Sequence, residues 1–223
     1  MFEWWTYTLS DFLLFSPRTY YRLFDLYNHD IWPAQIAAVG LGLLILTLVR
    51  KRDVRYGRAI AAILAACWLW VAWAFLFVRY DTINWAARYF AIGFAIEAAL
   101  LVWIGLIRDR LLLQPRAGLV SKAGLGILLF ALFIHPLIGP LIGRPWSQVE
   151  VFGIAPDPTA VTTLGVLLTA QPHNWPLLII PLLWCVISGA TLWAMQSPEA
   201  IVMLGLAALG ALLAARRVFS ELM

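Results

Sequence analysis

VFGIAPDPTAVTTLGVLLTA, residues 151–170, is the stretch on which the fold turns. Two prolines, Pro156 and Pro158, bracket Asp157, and a charge-free run follows from 159 to 170. Twelve helical residues rise only about 18 Å, whereas the hydrocarbon layer is about 30 Å thick. The run therefore reads as a short span, extended backward through 151–158 or set in thinned bilayer, or as a re-entrant segment. Pro156, Pro158 and Thr159 mark a loop entering a helix, with Asp157 near its positive N-terminal end.

The surrounding chain supplies longer apolar runs: 31–49, 59–78, 86–107, 123–141, 176–195 and the shorter 200–215. In lipid the backbone must satisfy its own hydrogen bonds, so such runs read as helices and not strands. The composition agrees. Of 223 residues, 63% are hydrophobic and 13% charged, against about 45–50% and about 25% in soluble domains. That excludes a soluble globular enzyme and a disordered chain. Two cysteines exclude a secreted disulfide scaffold. Twelve tryptophans suit membrane interfaces, where the ring is apolar and the N–H still reaches water.

Loop charge decides the count of spans. Residues 50–58, 108–122 and the tail at Arg216 and Arg217 hold 11 of the 16 lysines and arginines. The positive-inside rule places all three segments in the cytoplasm. The complementary segments hold Glu3, Asp11, Asp25, Asp30, Asp81, Glu150, Asp157 and Glu199, which are 8 of the 12 acids. The N-terminus is then outside and the fourth span ends outside. To finish inside, the chain must cross an odd number of times after Leu141. The expected architecture is an all-α transmembrane bundle of seven spans, N-out and C-in, six of them clear and one short or re-entrant. Residues 1–30 form an outer-face tail, and 31–223 form a single transmembrane helical domain. The start, MFEWWTYTLSDF, lacks the basic region and cleavage site of a removable signal. Within the tail, Ser16 and Pro17 signal a helix start. Tyr20, Leu23, Phe24 and Tyr27 share one face of the helix that follows, opposite Arg18, Arg22 and Asp25. This spacing predicts an amphipathic helix at the outer interface. Small-residue stripes at Ala38/Gly42, Ala62/Ala66 and Ala207/Ala211/Ala215 suit close helix packing.

Glu97 sits near the middle of its span, in YFAIGFAIEAALLVWIGL, and no other ionisable group occupies a span centre. Such a group costs at least about 2.5–3.5 kcal/mol to insert, by comparison with other charged residues, so it must be protonated, paired or facing water. It reads either as an ion or substrate contact or as a neutral acid bonded to a neighbouring helix. Arg88, nine residues earlier, points to the opposite side and is no natural partner. His135 lies beside Pro136 and Pro140, which are expected to kink or end the helix and open a polar vestibule on the outer side. Glu97, His135 and Asp157 are thus the candidate substrate or ion pathway. His29, Asp30 and Glu150 are outer-face metal candidates, although no ligand spacing such as HxxxH supports them. His173 lies in an inner loop, distant from these. Cys67 and Cys185 read as small buried hydrophobes. Both lysines, Lys51 and Lys122, lie in cytoplasmic loops, so a retinal Schiff base is excluded. With no P-loop and no Gly-rich fingerprint, no nucleotide cofactor is expected, nor a nucleic-acid partner.

Three segments carry a resemblance: FSPRTYYRLFDLYN (15–28), VFGIAPDPTAVTTLGVLL (151–168) and PLLIIPLLWCVISGA (176–190). Together they resemble DUF6064, a family of bacterial integral membrane proteins without an assigned activity. The resemblance spans nearly the whole chain and implies a multi-span protein of the bacterial inner (plasma) membrane. The family's middle motif often reads Pro-Cys-Pro-Thr. Here Asp157 stands in the cysteine position, which removes the thiol that a soft-metal role would use. Three functions remain open: transport or permeation of a small solute or ion, a non-catalytic membrane subunit or scaffold, and an intramembrane enzyme or sensor. A homo-oligomer or a membrane partner subunit is compatible with each. A pocket holding Glu97, open to one side, supports the first; a dry, fully packed Glu97 sinks it and favours the second.

Overall fold

The computed structural model describes residues 15–113, 118–171 and 174–222, with side chains as far as Arg216. Glu3, Asp11, Arg116, His173 and the side chain of Arg217 lie outside the described residues. In chain order the helices are α1 (Pro17–Asp30), α2 (Ala34–Leu48), α3 (Val54–Trp70), α4 (Ala87–Leu101), α5 (Leu119–Leu129), α6 (His135–Leu141), α7 (Pro156–Thr169), α8 (Pro176–Ala194) and α9 (Glu199–Leu222). A two-residue ladder completes the fold. β1 (Leu112–Leu113) runs antiparallel to β2 (Ala170–Gln171), with Leu112 opposite Gln171.

Among the described residues, five helical segments are long and apolar enough to cross a membrane: Val54–Thr82, Ala87–Ile107, Leu119–Leu141, Pro176–Ala194 and Glu199–Arg216. The pair α1 and α2, bent by 93°, raises the number to six if taken as one broken span. This is the organisation of a helical membrane protein. Ile36, Val39 and Leu43 on α2, Ile92 and Ile96 on α4, Ile179, Leu183 and Val186 on α8, and Leu209 and Leu212 on α9 are all exposed. Their three- and four-residue spacing draws an apolar stripe along the outside of each helix, as a hydrocarbon solvent requires.

Widened turns carry three helices past their α-helical ends: Val71–Phe77 after α3, Val102–Ile107 after α4, and Phe130–Ile134 between α5 and α6. The last carries the helix past Pro136, and the helix ends at Leu141, one residue after Pro140, where a proline is expected to end it. Pro136 enters α6 just beyond the π-helical turn, which absorbs its missing N–H, and Pro140 falls in the final turn. The helix reaches Leu141 unbroken.

The short run at 159–170 is the axis of the bundle. All 14 residues of α7 are buried. It packs most extensively on α5, where two glycines let the backbones meet. A Cβ on Gly165 would lie 2.7 Å from the Leu128 nitrogen, and one on Gly124 would lie 2.9 Å from the Gly165 carbonyl oxygen. Of the expected stripes, Ala38/Gly42 does face inward, and a Cβ on Gly42 would lie 2.7 Å from Leu132 Cδ2, whereas Ala211 and Ala215 are exposed. Ala62 and Ala66 are exposed, and α3 turns Ala61 and Ala65 inward instead. Trp68 of α3 ties into α7 by donating its indole N–H to Thr163 Oγ1 at 2.9 Å. Its ring lies 4.2 Å from that of Phe94 on α4, which in turn meets Trp184 of α8 at 4.9 Å.

The bundle has two distinct ends. At one, Arg58 pairs with Asp109 at 3.5 Å, Asn174 Nδ2 donates to the Arg110 carbonyl at 2.8 Å, and β1 pairs with β2. At the other lies α1. Ser16 caps it by accepting from the Thr19 N–H, and Tyr20, Phe24 and Tyr27 are buried against Phe75 and Tyr80. Asn28 Nδ2 donates to the carbonyls of Ser147 and Val149 at 2.8 and 2.9 Å, and Tyr27 Oη donates to that of Ile154 at 3.0 Å. The first segment of the family resemblance thus clamps the loop that leads into the second. α7 starts at this end and finishes in β2 at the other.

Candidate functional site

The three segments that carry the resemblance meet around one carboxylate. Asp157, in the first turn of α7, is buried. Trp184 Nε1 donates to its Oδ1 at 2.8 Å and Ser188 Oγ donates to its Oδ2 at 2.7 Å. Trp184 and Ser188 stand four residues apart on α8, hence on one face. The helix start beneath Asp157 is closed by Thr159, whose Oγ1 accepts from the Gly153 N–H at 2.9 Å and donates to the Ala155 carbonyl at 2.6 Å. Gly153 has φ +83°, a conformation that side-chain-bearing residues rarely adopt. The turn, the cap and the carboxylate are therefore set by one short run of sequence.

Around Asp157 the fold gathers Glu150 from the preceding loop, His135 from α6 and Glu199 from the start of α9. These line one enclosed cavity with Ile138, Leu192, Val202 and Met203. It leaves about 10 Å³ for the centre of a water-sized sphere, roughly what a single water needs. Arg144 is the cation of the group. It pairs with Glu199 through Nη2, stands 3.8 Å from Glu150 through Nη1, and lies 4.2 Å over the Tyr21 ring. Glycine at 139 makes room for it, since a Cβ there would fall 2.8 Å from Arg144 Nη2. Tyr21 Oη donates to Glu199 Oε2 at 3.1 Å and to Ser197 Oγ at 3.0 Å. Burial, with Asp157 and Glu199 beside it, pushes the Glu150 carboxyl well above the usual range, against the pull of Arg144.

Of the three residues read from the sequence as a pathway, the fold brings His135 and Asp157 into one cavity and leaves Glu97 out of its lining. Glu97 is buried on α4, and neither carboxyl oxygen meets a protein donor. The outer-face metal candidates have partners of their own. Asp30 pairs with Arg79 at 2.8 Å, His29 lines a surface groove with Trp32 and Trp146, and Glu150 faces Arg144. Among the described residues, no three His, Cys, Asp or Glu side chains are placed to hold a metal ion. Cys67 and Cys185 are buried on α3 and α8.

Arg144, Glu199, Tyr21, Trp184 and Ser188 were not singled out by sequence. One signal was present for Arg144: it stands between Gly143 and Pro145 on a face otherwise rich in acids. The partners on α8 and α9 carried no signal, because spacing within a helix does not reveal which helices touch.

No curated protein and no solved structure matches this chain. A family model does match, over residues 18–222, and its description is a family of unknown function, DUF6064. The match covers nearly the whole chain, and with it all the residues around Asp157, so the chain belongs to the DUF6064 family.

Proposed function

We propose that this is a seven-span protein of the bacterial inner membrane, N-out and C-in, that permeates a proton or small cation. Residues 1–30 are its outer tail and 31–223 its transmembrane domain. The path of α7 supports the seventh crossing. It starts in the Asp157 cluster and ends in β2, at the end where the Arg58 and Arg110 loops lie. Because other helices enclose it, its 14 residues need not meet lipid thickness on their own. The 93° bend between α1 and α2 lays α1 along the interface when α2 crosses.

The observation that carries the functional reading is charge balance. Three buried carboxyls, Glu150, Asp157 and Glu199, face a single cation, Arg144. Such a cluster attracts positive charge, and its cavity, one water in size, has no room for a larger solute or an enzyme substrate. Glu97 would be the deeper acceptor. The test is flux into proteoliposomes under an imposed proton, sodium or potassium gradient. Wild-type protein is expected to conduct one of them, and Asp157→Asn and Glu97→Gln to lower the rate at least about tenfold, the size of a 1.4 kcal/mol effect. No flux from folded wild type, or unaltered flux in both variants, overturns the reading.

One observation favours a second reading. Glu97 is buried and does not line the cavity. In a non-catalytic membrane subunit or scaffold, Glu97→Gln leaves function unchanged, and co-purification of a stoichiometric membrane partner is the informative result.

A further inference from the structure

The cluster can be resolved into individual roles by counting partners. Glu199 has the Arg144 guanidinium and the Tyr21 and Ser197 hydroxyls around it. It is the salt-bridge partner of Arg144. Asp157 holds two donors, Trp184 and Ser188, one on each oxygen, so both oxygens are satisfied. Glu150 is different. Its only charged partner is Arg144 Nη1 at 3.8 Å, and its Oε2 is buried with no protein partner. His135 Nδ1 is likewise buried and without a partner, and the two residues line the same cavity. Full ionisation would leave three negative charges against one positive in a closed space. An uncompensated buried charge is too costly to persist, so the cluster must take up positive charge.

We propose that the positive charge is a single proton held on Oε2 of Glu150, which donates it across one water to Nδ1 of a neutral His135. This deepens the permeation reading by naming the ion as a proton, and it rests on that reading only for the purpose the proton serves. Two observations favour a proton over a metal cation. No three His, Cys, Asp or Glu side chains among the described residues are placed around one ion. Arg144 already occupies the position beside Glu199 and Glu150 that a cation would seek. Exchange within the pair breaks the Oε2–H bond, forms an N–H bond on His135 and leaves a carboxylate facing Arg144. The net charge of the pair does not change. The groups that face Glu150 are Tyr20 and Tyr21 from α1, His135 from α6, Arg144 from its own loop, Asp157 from α7 and Glu199 from α9. The clamp from Asn28 to the carbonyls of Ser147 and Val149 holds the loop, and so the acid, in register with the imidazole.

The test is infrared difference spectroscopy on the full chain in lipid nanodiscs, following the carbonyl stretch of protonated carboxyls across pH. Glu97 can contribute a band of its own, so every sample also carries Glu97→Gln. The expected result is one band that persists at neutral pH, vanishes in Glu150→Gln, survives in Asp157→Asn and shifts in His135→Phe. Sodium, potassium and calcium leave it in place. The proposal is overturned if no such band persists at neutral pH, if Glu150→Gln leaves the band intact, or if a metal salt removes it. Flux and spectrum separate the two ideas. A Glu150 band without proteoliposome flux removes the permeation reading and leaves the proton site standing. Flux with no Glu150 band does the reverse.

Discussion

Glu97 and Asp157 are both buried carboxyls in helices of one bundle, and their surroundings differ in every other respect. Asp157 sits in a first helical turn with a donor on each oxygen and an arginine and two further acids nearby. Glu97 sits amid α4 with no protein donor on either oxygen. The comparison teaches that depth in an apolar run signals cost, whereas function needs partners. A lone acid in a span announces itself in the sequence; a built constellation is assembled from four or five separate segments, each unremarkable alone.

The sharpest way to break the comparison is to remove the one cation. Arg144→Leu leaves Glu199 without its counter-ion, and loss of one partner from a buried pair costs about 3–5 kcal/mol. Chemical denaturation in detergent should show a drop of that size. Next is Asp157→Leu, which strands the Trp184 indole N–H and the Ser188 hydroxyl, at about 1–3 kcal/mol for each buried group left unpaired. The same unfolding assay reads it, and Ser188→Ala added to Asp157→Leu should recover part of the loss.

A smaller effect concerns pH. Glu150 binds its proton more tightly folded than unfolded, because its folded value is raised. The folded state then holds more protons, and stability falls as pH climbs from the ordinary glutamate range through the raised folded value. The melting temperature of wild type should decline over that interval, and the slope should flatten in Glu150→Gln. Smallest of all is Glu97→Leu. Replacing an acid that has no donor by an apolar side chain of similar size should leave stability unchanged or raise it by about 1 kcal/mol. A large loss there would mean that Glu97 is held by something its surroundings in this structure do not reveal, and would erase the contrast with Asp157.

Much of the fold was legible because lipid leaves a chain few options. Each long apolar run became a helix within a few residues of its expected bounds, and α1 begins at Pro17 behind the Ser16 cap as its sequence indicates. The 159–170 run resisted because its length fits two structures. What its sequence does not show is its burial on every side, a property of its neighbours. His135 and Asp157 were legible as polar residues beside prolines. Their companions were not: Glu199 lies 55 residues from Arg144, and Trp184 lies 27 from Asp157. Hydrophobic periodicity says which face of a helix turns inward and nothing about what waits there.

The enclosure of α7 also bears on how the protein is made. A helix with an exposed apolar stripe can partition into the bilayer alone as it leaves the ribosome. α7 carries Asp157, Thr159, Thr162 and Thr163 and turns no face outward in the finished bundle. During synthesis its acid lacks the Trp184 and Ser188 donors until α8 is made. Biogenesis of this protein is then a cooperative act of α5, α7 and α8, and truncation before Ser188 should send the nascent chain to the membrane proteases.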